Sequence, residues 1–183
     1  MENAIDPALA RRFSCFQSLN TEQITILATR IEDVRLASGS ILFRQGDPGD
    51  SICLLLSGKI LIKLGAGTQD ERTLAKLEAG AIFGEMGPLT DTARTATAMT
   101  ATDSHLWRIS ASSLHDALQH GEAWATSLLL ATAQVLGRRV AGMNQDLIKL
   151  SAELHRNAPE PQIRKAVAEI EQLRKRLMTE WTF

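Results

Sequence analysis

Net charge is almost absent from this chain: 20 lysines and arginines stand against 21 aspartates and glutamates, leaving −1 at pH 7. No global field therefore draws it onto nucleic acid or an anionic membrane surface. Cysteine is scarce as well. Cys15 and Cys53 sit in unlike contexts, Cys53 inside an apolar run, which points to buried thiols in a reducing compartment rather than a disulfide framework. The four histidines, His105, His115, His120 and His155, form no i,i+4 or His-x-His pair, so no metal site is expected. No apolar run approaches the length of a membrane span, and "MENAIDPALARRF" lacks a basic region followed by an apolar one. The expectation is a soluble, cytoplasmic protein.

What the chain does have is apolar content, 44% of 183 residues, enough for one domain core with an appendage. A short helical entry over about 6–13 precedes "NTEQITILATRI", where Asn20 or Thr21 caps a helix with apolar residues at 24, 27, 28 and 31. From about 34 the period shortens. "SILF", "SICLLL" and "KILIKL" are broken by Gly39, Gly46, Gly49 and Gly58, and "GDPGD", "SGK" and "GAGTQDE" carry turn chemistry. With "RTLAKL", "RTATAMTA" and "HLWRI" these give about eight short antiparallel strands. The fold expected is α+β, mostly β: a jelly-roll barrel with a helical segment before it, a long helix after it and one extra helix. The boundaries expected are 1–33 for the entry helices, 34–110 for the barrel, 111–156 for the following helices and 157–183 for the last.

Ser110 caps "ASSLHDALQH", and Gly121 interrupts before a long helix. In that helix Leu129, Ala133, Leu136, Val140, Met143, Leu147, Leu150 and Leu154 recur at alternating spacings of four and three, a heptad seam. The part near 124–136 fits packing on the chain's own barrel equally well; beyond Val140 a homodimer through residues 129–154 is the preferred reading. "NAPEP" at 157–161 ends the helix, and the amphipathic segment after it reads as a solvated helix rather than a nucleic-acid arm.

The informative stretch is "FGEMGPLTDTARTATA" at 83–98. Gly84 follows an apolar strand and permits close backbone approach, and a short helical turn after it offers free amides to an anion. Arg94 adds a forked donor pair that matches a phosphate. Glu85 cannot favour an anion, so its carboxylate is read as an acceptor for a hydroxyl; a hydroxyl beside an anion describes a ribose phosphate. The alternative is a structural salt bridge between Glu85 and Arg94.

This stretch resembles the phosphate-binding cassette of the cyclic nucleotide-binding domain family, and "LFRQGDPGDSICLLLSG" resembles that family's other signature, with Gly46, Gly49 and Gly58 at its glycine positions. Together the likeness covers about residues 10–150. It implies Glu85 on the ribose 2'-hydroxyl, Arg94 on the cyclic phosphate, Phe83, Gly84 and Met86 lining the cassette with the amides after Gly84 on the phosphate and sugar oxygens, and Thr95 near phosphate and base. It places the base against Leu74, Ala75 and Leu77, and "GRRVAGMNQDL" resembles the helix segment that lids it, nominating Arg139, Met143 and Asn144. Pro88 and Ala93 depart from the pattern, standing where the family has an aliphatic residue and a proline.

The function implied is a cyclic nucleotide receptor, cAMP favoured over cGMP, that rearranges its C-terminal helices on binding and regulates an unidentified protein partner. The alternative is a ligand-independent dimerisation and docking scaffold. An enzyme of the cupin kind would need histidines and carboxylates clustered inside the barrel, which the scattered histidines do not supply, so no enzymatic activity and no cofactor beyond the nucleotide ligand are expected. The residues after "NAPEP" suffice for one helix, so no helix-turn-helix for DNA reading, and no nucleic acid or membrane partner, is expected.

Overall fold

The computed structural model describes residues 6–157 together with 165–170, 172–173 and 176. Asp6 caps α1 (Pro7–Ala10), a 3₁₀ turn follows at Ser14–Phe16, and α2 spans Thr21–Thr29. The entry helix is shorter than its pattern implied because Phe13 turns to extended backbone, φ −87° and ψ 123°, and so breaks the run. At α2 the Asn20 side chain accepts from the Gln23 amide while the Gln23 side chain accepts from the Asn20 amide, a reciprocal cap that fixes the start.

Eight antiparallel strands follow: β1 (Glu32–Leu36), β2 (Ile41–Phe43), β3 (Ser51–Ser57), β4 (Lys59–Leu64), β5 (Arg72–Glu78), β6 (Ile82–Phe83), β7 (Thr97–Thr100) and β8 (Ser104–Ser110). They form two four-stranded sheets, ordered β1-β8-β3-β6 and β2-β7-β4-β5. β1 was missed in the sequence because "EDVRL" reads as polar; it holds its place as an edge strand paired to β8, with Arg108 bridging to Glu32 across the ladder.

The continuous apolar run "ICLLL" follows from β3 being covered on both faces. Cys53 and Leu55 face the other sheet, joining Ile60, Phe83, Ala98 and Leu106. Ile52, Leu54 and Leu56 face the opposite way, joining Trp107 and Ile109 beneath Phe13, Phe16, Ile24, Leu27, Leu114 and Trp124. Phe13 and Phe16 come from the entry segment, Ile24 and Leu27 from α2, Leu114 from α4 (Ala111–Gln119), capped by Ser110, and Trp124 from the start of α5 (Ala123–Asn157). A five-residue helix, α3 (Met86–Thr90), lies between β6 and β7.

The chain divides into two compact units, one ending at Thr132 and one beginning at Ala133. The first contains the barrel and the helices packed on it. The second contains the remainder of α5 and helical residues at 165–170, 172–173 and 176. The "NAPEP" break and most of the terminal segment lie outside the described residues. Among the described residues no helix is long and apolar enough to cross a membrane.

Candidate functional site

The site is assembled where β6 ends. Phe83 is buried against Phe43, ring centroids 6.3 Å apart, which anchors the strand in the barrel core. The next residue must turn the chain: Gly84 has φ +76°, and a Cβ there would sit 2.9 Å from Arg94 Nη1. Only glycine meets both demands. Glu85, 2% exposed, then occupies the N-cap position of α3 without capping it through its side chain, and Met86 opens the helix with 38% of its surface exposed. Asp91 closes α3 in the left-handed region, φ 52°.

Arg94 is drawn into the barrel by its backbone and its side chain. Its amide donates to the Asp47 carbonyl at 2.8 Å and its carbonyl accepts from the Gly46 amide at 2.9 Å. Its guanidinium is 3% exposed. Nη1 donates to the carbonyls of Ser51 and Gly84, both at 2.7 Å; Nη2 donates to Ser51 Oγ at 2.8 Å and Asp50 Oδ1 at 3.1 Å. The Phe43 ring lies under the guanidinium at 4.2 Å. Four of the five N–H donors are thus committed to protein, which fixes the fork in one orientation. The fifth, Nε–H, is buried and has no protein partner among the described residues. A buried unmet donor costs about 1–3 kcal/mol, so Nε–H is the one guanidinium donor that the described residues leave unsatisfied.

The ion pair of Arg94 runs to Asp50, which is 75% exposed in its side chain, and so the cation is held by the "GDPGD" loop. Of the other nominated residues, Leu77 packs against the core between the sheets and Ala75 is half-buried. Leu74 does not share their face: it falls at a register shift between β4 and β5, where Ile62 pairs with Ala75 and Lys63 with Thr73, and it is 57% exposed. Alternation along "RTLAKL" sets residues 75 and 77 on one face and 74 on the other, so the three nominated residues cannot line one wall. Thr95 is exposed directly after Arg94. Arg139, Met143 and Asn144 belong to the second unit and are exposed, Met143 by 57%.

Residues 33–120 match the cyclic nucleotide-binding domain family. The chain belongs to that family. The cyclic AMP receptor protein of Thermus thermophilus is 32% identical over 143 residues, covering 78% of this chain and 64% of that protein. A protein of Mycobacterium tuberculosis described as an uncharacterized NTE family protein is 28% identical over 126 residues, 69% of this chain but 21% of the relative, so the chain spans about a fifth of its length. Among solved structures, the N-terminal domain of a transcriptional regulator from Streptomyces coelicolor is 30% identical with a TM-score of 0.60, covering 74% of this chain and 94% of that one.

Within this cyclic nucleotide-binding domain, sequence reading found the cassette but missed what aims it. Asp50 lies in the turn run "GDPGD", and Ser51 and Phe43 lie in the strand runs "SICLLL" and "SILF", so local pattern nominates none of the three for the site. The available signal was the second signature itself: a loop of two glycines, two aspartates and a proline is more than a turn needs when it precedes a strand buried from Ser51 to Leu56.

Proposed function

We propose that this chain is a cyclic nucleotide receptor, cAMP by preference, which acts by binding rather than by catalysis. The observation that carries the reading is Arg94: a guanidinium 3% exposed, oriented by four protein hydrogen bonds, with its remaining buried donor unmet. A cyclic phosphate would supply the charge-assisted acceptor at that donor, and Gly84 lets the cassette backbone lie directly against the Arg94 guanidinium, where a side chain would collide with it. Glu85, buried beside it, accepts from the ribose 2'-hydroxyl. Ala75 and Leu77 offer the apolar wall for the base, and Thr95, Arg139, Met143 and Asn144 are assigned to the ligand by family resemblance.

The output follows from helix α5. In the second unit Val140, Met143 and Leu150 expose 38%, 57% and 50% of their surface, and they fall on the heptad seam. Such a stripe is stabilised by a second helix, most simply its copy in a homodimer, and binding then shifts an equilibrium between helix arrangements that a protein partner reads. Equilibrium titration with cAMP and cGMP tests the reading. Saturable binding with cAMP tighter is the expected result; tighter cGMP reverses the base assignment, and binding of neither removes the receptor function.

A further inference from the structure

A cavity of about 280 Å³ lies on the β1 and β2 side of Arg94, and of the cassette residues only Arg94 reaches its wall. Gly84, Glu85, Met86 and Thr95 do not line it, nor does any residue of β4 or β5, so it adjoins the place assigned above to the nucleotide at Arg94, Phe43, Asp50 and Ser51 and extends from there on the opposite side to the base wall. Its wall is apolar where the sheets face each other: Val34, Leu36, Ile41, Leu42, Phe43 and Leu106. Cys53 completes that wall as a neutral thiol, since burial pushes its pKa up to about 12.

The cavity exists because the two sheets do not close there. β1 is hydrogen-bonded only to β8, and β2, three residues long and irregular between Ile41 and Phe43, only to β7. Two edge strands therefore face each other without a ladder, and Ile41 stands 39% exposed at the gap. At the polar end Asp50, Ser51 and Arg108 belong both to this cavity and to a neighbouring cleft of about 350 Å³ lined by Thr29, Arg30, Glu32 and Ser110. The cavity thus has an apolar side between β1 and β2 and a polar side formed by Asp47, Asp50, Ser51, Arg94 and Arg108.

The charges on the polar side are held in fixed positions. Asp50 is paired to Arg94, and Asp47 accepts from the Arg44 amide at 2.7 Å. Arg108 is clamped by Glu32, which accepts from its Nε at 2.9 Å and from its Nη2 at 2.7 Å. The remaining nitrogen, Nη1, makes no hydrogen bond to the described residues, and the arginine side chain is 44% exposed. A guanidinium with two nitrogens anchored and one offered, above an apolar chamber near the lower end of small-molecule site volumes at roughly 300 Å³, suits an elongated molecule with an acceptor at one end.

We propose that this cavity is a second ligand site, which takes a small monocarboxylate with an apolar body, the body between β1 and β2 and the carboxylate on Arg108. Calorimetric titration with octanoate, and with octylamine as the same body bearing a cation, tests it on the full chain. Octanoate binds one equivalent per chain, octylamine at least tenfold more weakly. Arg108→Gln and Val34→Phe, one removing the anchor and one filling the chamber, each weaken octanoate at least tenfold while leaving cyclic nucleotide affinity unchanged. Arg108→Gln alters an exposed side chain, so it remains informative if the core substitution unfolds the barrel. Absence of octanoate binding, equal binding of octylamine, or octanoate affinity unchanged in Arg108→Gln overturns the proposal.

Discussion

Gly49 and Gly87 pack backbone against backbone so closely that a Cβ on either would collide with the other's Cα. The contact locks the loop before β3 onto α3, and so fixes the loop that carries Asp50 and Ser51 relative to the cassette that carries Glu85. Arg94 depends on both segments, since it bonds to Ser51 and Asp50 on one side and Gly84 on the other. The glycine pair and the arginine are two fastenings of one joint.

Gly87→Ala is accordingly expected to lower stability by about 1–3 kcal/mol, the range for overpacking a close-fitted site. Gly87 is buried and its neighbour is backbone, so no side chain can swing aside. Thermal melting measures the loss. Gly67→Ala, at a position with open space around it, separates the clash from general glycine effects: φ +81° there strains the backbone alone and should cost less.

Arg94→Ala is expected to weaken cyclic nucleotide binding by about 2–4 kcal/mol, because a phosphate loses its charge-assisted partner. It should also lower the melting temperature, since the Ser51 and Gly84 carbonyls lose their donor inside the barrel. A mutant that melts and binds as the wild type does would show that the guanidinium aims at nothing. Glu85→Gln should act on the sugar instead, reducing the preference for ribose over 2'-deoxyribose ligands, which paired titrations detect.

Asp33 provides a pH test in a different part of the barrel. Its carboxylate meets His105 Nε2 at 2.5 Å and accepts from Trp107 Nε1 at 3.2 Å, with Arg35 Nε 3.5 Å away. Burial alone would raise its pKa; the hydrogen bond and charge of His105, together with Arg35 and the indole N–H, outweigh burial and hold it below the usual carboxylate range. A carboxyl depressed in the folded state contributes stability that is complete above its unfolded pKa, about 3.9, and is lost as pH falls through the folded value. Between pH 5 and pH 2.5 the wild type should therefore lose more stability than Asp33→Asn. Parallel losses in melts across that range would contradict it.

The barrel was legible because short apolar runs are separated by glycine-bearing turns, and the cassette because one acid, one base and one glycine sit at characteristic spacing. What stayed hidden was pairing across long separations. β1 is a strand only because β8 is there to receive it, and Arg94 finds Asp50 from 44 residues away, information that no local pattern contains. Leu74 is a different case: alternation along β5 alone sets it on the face opposite Ala75 and Leu77. Local chemistry announced the ligand-facing residues, whereas the residues that position them came from the fold.

The exposed seam of α5 leads to a prediction about assembly. Val140→Glu combined with Leu147→Glu should yield a soluble monomer, since each glutamate would face its copy across a symmetric coil. Val140 is 38% exposed and Leu147 partly buried, so the barrel should remain folded. Light scattering reads the mass. A wild type already monomeric at micromolar concentration, with and without nucleotide, would instead mean that the helix needs no second copy.

Calorimetric titration of the wild-type chain with cAMP and 5'-AMP side by side asks whether the cassette around Arg94 binds a cyclic nucleotide. One saturable cAMP site per chain is expected, with 5'-AMP at least tenfold weaker because its open, doubly charged phosphate mismatches a single buried donor. No heat with cAMP, or equal affinity for the two nucleotides, would contradict it.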